Sequence, residues 1–302
     1  MNAPVKTFIF LFACLAGYCL AAGAALDSQK EVGLAVEPGW LLIRDVPAGQ
    51  LYDVDAMSKT KFTIRNGSDQ ARRYGVKADK PAKVGVNVLK GYTGIPDPAW
   101  FWFETNFVTV PANGAQSIKM FARIPGEDKY CNQKWAVGID VEGKPEGGGG
   151  LVLAVSPVFY IETEARADLK EKPAGLLGMA PGTVVLENAA AGKSKSVAEI
   201  KVYNNDSRKH TYKVSSVIPS AAPGCQVIGV TPGFEWISKA EWLMPACREL
   251  KIGPNEMKTL VLDLDIPQNA GLTGHSCEGI IMLEPEEGSA DFVRVQLKTI
   301  GR

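Results

Sequence analysis

Apolar side chains occupy every second position in many short stretches of this chain, which is the spacing of a β-strand with one buried face. The clearest stretch is residues 118–124, where Lys119, Phe121 and Arg123 lie on the face opposite Ile118. The pair Asn66-Gly67 interrupts another stretch, because Asn and Gly tolerate a positive φ in tight turns. Beyond the N-terminal segment there is no long helical period, so the pattern predicts an all-β protein.

The alternation recurs along the chain, which predicts a duplicated domain. Asn66 returns as Asn204, and the block 100–142 returns without a gap as the block 242–284. Short strands separated by turn residues at intervals of about 8–12 residues are typical of a sandwich of two packed sheets. We therefore expect two tandem immunoglobulin-like β-sandwich domains after an N-terminal signal helix.

The first residues of the chain have the pattern of a secretory leader. Residues 1–24 combine a basic start, a short apolar run and a small-residue exit, so a signal peptide cleaved after Ala24 or Ala25 is expected. The protein would then be exported to the periplasm, the cell surface or the medium, with no membrane span after cleavage. Two alternatives stay open. One is a retained membrane anchor, although the run is short for a bilayer span, and the other is a lipid anchor on Cys14.

A change of composition predicts where the two domains meet. Residues 164–178 carry charge, Pro and Gly without apolar alternation, so they are expected to form a linker. The first sandwich is then expected over residues 25–163 and the second over residues 179–302.

The overall charge and the polar residues exclude several functions. Among 302 residues, 33 basic side chains balance 33 acidic ones, whereas a nucleic-acid-binding protein needs a concentrated positive field. The only histidines, His210 and His275, do not supply the three or four closely spaced ligands of a zinc site. No catalytic signature sequence occurs either. We therefore expect no nucleic-acid partner, no catalytic residues, no cofactor and no metal.

Four of the six cysteines lie outside the leader, at Cys131, Cys225, Cys247 and Cys277. In an oxidising compartment four cysteines allow three pairings. Cys225 and Cys247 share one long loop region, which favours a disulfide between them. Cys277 is either a buried thiol or the partner of Cys247, and Cys131 is either free or paired across the domain junction.

Two groups of side chains are candidates for binding a partner. Trp100, Trp102 and Phe103 belong to a run of aromatic residues, and exposed aromatic side chains mark binding surfaces for proteins or sugars. Arg72 and Arg73 follow the Asn-Gly turn and could dock an acidic partner. The alternatives are core packing for the aromatic residues and a solvated strand face for the arginines.

Three stretches of the first domain carry a family resemblance. They are residues 62–66 with Tyr74 after them, residues 107–114, and the basic strand 118–124 followed by Pro125. Together they resemble the N-terminal domain of periplasmic pilus-assembly chaperones. They also fit the wider superfamily of sperm-protein-like and cilia-associated sandwich modules.

The chaperone resemblance implies a role for one late strand. Residues 151–161 stand where such chaperones keep the strand that they lend to a subunit, which makes Leu151, Leu153 and Val155 the donor candidates. Three features depart from the family. The tryptophan expected after the Tyr74 strand is absent. Residues 127–130 do not reproduce its Arg-Glu-Ser motif, and the second domain copies the first, whereas the chaperones have a distinct second domain.

These observations favour a non-enzymatic, exported binding or assembly module that acts through contacts with a protein, such as a surface or pilus-type subunit. A pilus-chaperone-like factor that donates a strand to a subunit is one alternative. A carbohydrate-binding module that uses Trp100 or Trp102 to contact a glycan is another.

Overall fold

Strands make up most of the structure, as the apolar alternation predicts. The computed structural model describes residues 33–144, 152–219, 228–268, 270, 274–287 and 290–298. Within these residues the helical content is one short α-helix, α1 (Val54–Ser58), and a few 3-10 turns. None of the described helices is long and apolar enough to cross a membrane. The predicted signal peptide lies outside the described residues.

The first sandwich contains the strands up to Thr163. In chain order they are β1 (Leu34–Glu37), β2 (Trp40–Val46), β3 (Tyr52–Asp53), β4 (Phe62–Asn66), β5 (Arg72–Asp79), β6 (Thr93–Gly94), β7 (Phe101–Phe103), β8 (Phe107–Val110), β9 (Ala115–Ile118), β10 (Met120–Ala122), β11 (Lys134–Lys144), β12 (Leu153–Val155) and β13 (Val158–Thr163). One sheet has the order β2-β13-β11-β5-β8, with β6 and β12 also paired to β11. The facing sheet consists of two pieces, β1-β4-β9 and β3-β10-β7.

The second sandwich begins at Leu177. Its strands are β14 (Leu177–Ala180), β15 (Thr183–Glu187), β16 (Gly192–Asn204), β17 (His210–Val217), β18 (Glu235–Trp236), β19 (Leu243–Pro245), β20 (Glu249–Ile252), β21 (Met257–Ile266), β22 (Ser276–Pro285) and β23 (Asp291–Lys298). One sheet has the order β15-β23-β22-β17-β20, with β18 also on β22, and the other has the order β14-β16-β21-β19. The predicted all-β fold with two sandwiches is confirmed.

The duplication is visible in how each sandwich starts. In the first, β1 pairs antiparallel with β4 and the chain then crosses to the other sheet, where β2 runs parallel to β13. In the second, β14 pairs antiparallel with β16 and β15 runs parallel to β23. A cis X-Pro peptide bond precedes Pro38 and Pro181, at the two crossing points. Both copies therefore share one topology as well as one sequence pattern.

A buried asparagine holds the same corner of each copy. The Nδ2 atom of Asn66 donates to the backbone carbonyls of Gln70, Val110 and Pro111 at 2.8–3.3 Å. The Tyr74 hydroxyl donates to Asn66 Oδ1 at 3.0 Å. Asn204 makes the same set of amide contacts, to the carbonyls of residues 208, 252 and 253. In both copies the amide bonds tie the turn after one strand to the neighbouring strand, which explains why Asn recurs at this place.

Each sandwich has its own apolar core. The first core extends from Ile43 to Ile161 and the second from Leu177 to Leu297. Trp135 lies in the first core, and Cys277 takes the matching place in the second. The predicted domain boundaries at residues 25–163, 164–178 and 179–302 stay predictions.

Candidate functional site

The strand proposed as a donor is interrupted in the structure. Val155 lies opposite Val141 and Val158 lies opposite Gly138, so β12 and β13 keep one register along β11. The ladder breaks at Ser156 and Pro157, where proline has no N–H to donate. The Pro157 carbonyl still accepts from the Ile139 N–H at 2.9 Å. β12 is therefore a short piece that is attached to the sheet through β11.

On the side away from β11, β12 has no second ladder partner among the described residues, although β1 of the facing sheet approaches it. The neighbouring strand β2 begins at Trp40, which lies opposite Val158, so it does not reach β12. Among the described residues β11 is the ladder partner of β12. An unpaired strand edge exposes backbone N–H and C=O groups and is a template on which another chain can add a strand.

Exposed apolar side chains line this edge, on the outer face of the sheet. Val152 is 55% exposed and Ala154 is also exposed. On the adjoining edge strand β2, Trp40 is 62% exposed and Leu42 is 37% exposed. We call these four residues the apolar strip. They occupy two successive parts of the edge, since Trp40 and Leu42 lie opposite Val158 and Tyr160, and exposed apolar patches mark interaction sites.

The donor candidates Leu153 and Val155 point to the opposite face of β12 from Val152 and Ala154. Val155 pairs with Val141, which has no exposed surface, and Leu153 lies opposite Gly143. A Cβ atom on Gly143 would lie 3.0 Å from the Tyr74 ring, so this face is the interior face of the sandwich. Both candidates are partly buried there. Leu151 lies outside the described residues, and the donor role of all three stays a prediction.

A cluster of four charged side chains joins the two sandwiches next to the apolar strip. Arg44 Nε lies 2.6 Å from Glu162 Oε2, and Arg44 Nη2 lies 2.5 Å from Asp291 Oδ1. Lys134 Nζ lies 2.9 Å from Glu162 and 3.0 Å from Asp291. Tyr92 donates to Glu162 at 2.5 Å. Asp291 belongs to the second sandwich and the other members to the first, so we call this group the junction cluster.

The cluster is electrically balanced. Burial alone would raise the pKa of Glu162, but Arg44 and Lys134 outweigh burial and hold that pKa at about 2. Burial and the Glu162 carboxylate both raise the pKa of the Tyr92 hydroxyl, which stays protonated as a donor. Two cations therefore meet two carboxylates, and the cluster has no surplus positive charge for an anionic ligand.

The junction also contains other contacts between the sandwiches. The Arg44 guanidinium lies 3.9 Å from the centroid of the Phe292 ring, which is cation–π geometry. Thr183 Oγ1 donates to Asp45 Oδ2 at 3.2 Å, and Asp45 has a positive φ of 54° in β2. A cavity of about 20 Å³ beside Arg44 and Asp291 has room for about one water molecule. These contacts link β2 of the first sandwich to β15 and β23 of the second.

The three aromatic candidates lie in different surroundings. Trp100 packs on Tyr130 and Trp135 with ring centroids 4.9 and 5.6 Å away. Phe103 is 4% exposed and contributes to the first core. Trp102 points to the outer face of its sheet, where its ring stacks on Phe121.

The arginine candidates lie in the other sheet, on β5. Arg72 Nε donates to the Ser68 hydroxyl at 3.1 Å. The Arg73 guanidinium lies 4.5 Å from the centroid of the Phe107 ring. The structure therefore does not bring the arginines together with Trp102, and any binding role for either group stays a prediction.

Three cysteines can be placed, and each has a free thiol. Cys131 is buried, its Sγ donates to Glu164 Oε1 at 3.3 Å, and burial raises its pKa to about 11. Cys277 is also buried. Cys225 lies outside the described residues, so the predicted pairing of Cys225 with Cys247 stays a prediction. Within the described residues there is no group of three or more His, Cys, Asp or Glu side chains that could hold a metal ion.

Sequence reasoning missed the apolar strip and the junction cluster. The run Trp40-Leu-Leu-Ile43 is apolar on both faces, a pattern typical of a strand buried on both sides, and this hid the exposure of Trp40. Arg44 and Asp291 are distant in sequence, and no local pattern connects them. An uninterrupted apolar run at a sheet edge is the one signal that could have pointed to the strip.

No protein-family model matches this sequence, and no curated protein matches it. Among solved structures, the YadV chaperone is 11% identical over 87% of this chain and 99% of that chain, with a TM-score of 0.31. The class 5 fimbriae chaperone CfaA is 13% identical over 86% of this chain and 99% of that chain, with a TM-score of 0.31. A protein of unknown function from Porphyromonas gingivalis W83 is 13% identical over 88% of this chain and 99% of that chain, with a TM-score of 0.30. At such TM-scores these likenesses carry no functional argument.

Proposed function

We propose that this chain is a non-enzymatic binding or assembly module that holds a protein partner at the edge formed by β12 and the apolar strip. The observation that supports this proposal most directly is that exposed Trp40, Leu42 and Val152 lie along an edge where β12 has no second ladder partner among the described residues. Backbone hydrogen bonds to this edge would supply affinity, and apolar contacts beside it would supply specificity.

The surroundings of the edge favour a protein partner. The junction cluster beside it is neutral, so a charged small molecule finds no counter-ion there. Trp and other large apolar residues dominate the energetics of protein interfaces when they become buried. An extended partner segment can contact the edge and the strip together, because both follow the strand direction of one sheet.

The experiment compares the full chain with a double variant, Trp40→Ser with Leu42→Ser. Each protein carries an affinity tag and is purified from the cell envelope of the source organism. The proteins that purify with it are identified by mass spectrometry. Met257→Ser is the matched control, because Met257 is an apolar side chain of the second sandwich with 45% exposure. We expect one set of partners to be lost from the double variant and retained by the control. An identical set of partners for all three proteins would refute the proposal.

Export belongs to the same proposal. The leader pattern in residues 1–24 supports an exported protein. N-terminal sequencing of the protein recovered from its source is expected to start at residue 25 or 26. A mature protein that still begins at Met1 and remains in the cytoplasm would contradict export.

A second candidate function is strand donation to a subunit that lacks a strand of its own sheet. The specific observation in its favour is that β12 is separated from β13 at Ser156 and Pro157 and has β11 as its ladder partner in the described part of the chain. Donation predicts that a partner subunit unfolds at a higher temperature in the complex, and that Leu153→Asp abolishes this gain. A simple docking contact predicts that Leu153→Asp leaves the complex intact, provided that circular dichroism shows the variant to be folded.

A further inference from the structure

A second surface lies on the opposite sheet of the first sandwich, on the outer face of β3-β10-β7. Asp53, Phe121 and Trp102 lie opposite one another in register across these three strands. Their sequence neighbours Phe101 and Ala122 point inward and are buried. Phe121 and Trp102 therefore stand side by side on the solvent face.

The two rings form a partly exposed aromatic ledge. Their planes are within 26° of parallel and their centroids are 5.8 Å apart. Both side chains remain partly exposed, and neither is a member of the first core. Leu51, two residues before Asp53 on the same side, is 61% exposed and extends the apolar surface at one end. We define the ledge as Trp102, Phe121 and Leu51.

The polar groups around the ledge carry both charges, with three acidic side chains, Asp53, Asp55 and Glu104, against two basic ones. Lys119 and Arg123 flank Phe121 on its own strand face, and both are exposed. The three carboxylates supply the opposite charge, and Glu104 already accepts the Lys119 N–H at 3.0 Å. An anionic ligand gains nothing from a rim with more acidic than basic side chains. A neutral ligand with many hydroxyl groups can use donors and acceptors of both kinds.

We propose that the ledge binds a hexose ring of a neutral polysaccharide. The C–H face of a pyranose is apolar, so it can pack against the parts of the Trp102 and Phe121 rings that stay exposed. Its hydroxyl groups can donate to Asp53 and accept from Arg123. The ledge offers little area beyond these rings and Leu51, whereas a standard protein interface covers about 800 Å² on each partner.

This site is independent of the apolar strip, because it lies on the other sheet of the sandwich. A polysaccharide contact on one face and a protein contact at the opposite sheet edge could be occupied together. The two proposals can therefore fail separately.

The test is native electrophoresis of the full chain in gels that contain hydroxyethyl cellulose, dextran or yeast mannan. We expect at least one polymer to slow the wild-type protein, and we expect Trp102→Ala to weaken that binding about tenfold, the effect of losing a stacked aromatic contact. Phe121→Ala is a second variant with the same expectation. Phe107→Ala is the matched control, because it removes an aromatic ring with 44% exposure from the other sheet and should leave the retardation unchanged.

Circular dichroism of each variant shows whether it is folded. If Trp102→Ala does not fold, the retardation of Phe121→Ala tests the proposal in its place. Unchanged mobility of the wild-type protein with every neutral polymer would overturn the proposal. Equal retardation of wild type and both ledge variants would overturn it as well. Retardation by heparin alone would also overturn it, because heparin is a polyanion and would show a charged ligand.

Discussion

At the scale of single residues, the buried asparagine in each sandwich is the side chain on which the turn geometry depends most. Asn66 is 2% exposed and satisfies three backbone carbonyls, and it accepts from Tyr74. Because the site is buried, losing the Asn66 amide would leave the three carbonyls and the Tyr74 hydroxyl without a hydrogen-bond partner. Leaving a buried polar group unpaired costs about 1–3 kcal/mol.

The first prediction concerns the hydrogen bonds of Asn66. Asn66→Ala is expected to lower the free energy of unfolding by about 3 kcal/mol, because several buried groups lose their partner together. The measurement is urea unfolding followed by fluorescence. Gln70→Ala is the control, since its exposed side chain is not part of the corner and only its backbone carbonyl accepts the bond. Equal stability of wild type and Asn66→Ala would contradict this account of the turn.

The second prediction concerns the pKa of Glu162. Because the pKa falls from 4.5 to about 2 on folding, Glu162 contributes stability above pH 4.5 that is lost as the pH falls toward 2. Between pH 5 and pH 3 the wild-type protein is expected to lose about 2 kcal/mol more than Glu162→Gln, which has no carboxyl group to titrate there. Urea unfolding at the two pH values measures both losses. Parallel losses in the two proteins would show that Glu162 is not held as an anion.

At the scale of elements, β12 differs from β13 in how many neighbours it has. β13 pairs with β11 on one side and β2 on the other, whereas β12 pairs with β11. A segment held from one side by few buried contacts opens locally at lower free energy than one held from both sides.

The third prediction is a difference in hydrogen exchange between these two strands. Backbone amides of residues 153–155 are expected to exchange faster than those of residues 159–162, by about tenfold or more, because local opening is easier in β12. Peptide-level mass spectrometry gives both rates in one experiment, and β13 is the internal control. Equal protection would mean that the edge of β12 is covered by something else.

Most of the strands could be predicted from sequence, and the reason is physical. In β4 and β10 one face is buried, so apolar residues must alternate with polar or exposed ones. The repeated Asn66 and Asn204 could be recognised because a buried amide with three carbonyl partners tolerates no other side chain. The exposure of Trp40 could not be predicted, since a strand with apolar residues on both faces looks the same whether or not its outer face is covered.

At the scale of the whole molecule, the junction cluster determines how the two sandwiches are held together. Its four charged side chains are at most 15% exposed. A buried ion pair adds little stability compared with apolar packing, but removing one partner leaves a buried charge unpaired. We therefore expect the cluster to select one arrangement of the two sandwiches, while adding little to the free energy of unfolding. Sequence alone could not show it, because Asp291 meets Arg44 only after both sandwiches have folded.

The fourth prediction tests the cluster. Asp291→Asn is expected to lower the free energy of unfolding by about 3–5 kcal/mol, because Arg44 and Lys134 are left with a single carboxylate. Asp265→Asn is the matched control, since it removes an exposed ion pair with Lys193, which is worth at most about 1 kcal/mol. Urea unfolding of the three proteins at neutral pH gives the comparison. A loss for Asp291→Asn no larger than that of the control would show that the cluster does not hold the junction.

The central claim is that a protein partner is held at the edge of β12, and site-specific photo-crosslinking tests it most directly. A photoreactive amino acid is placed at position 154 on the edge, or at position 258 on an exposed strand position of the second sandwich, and the cells are irradiated. We predict a crosslinked partner from position 154 and none from position 258. Crosslinks from position 258 without any from position 154 would contradict the claim.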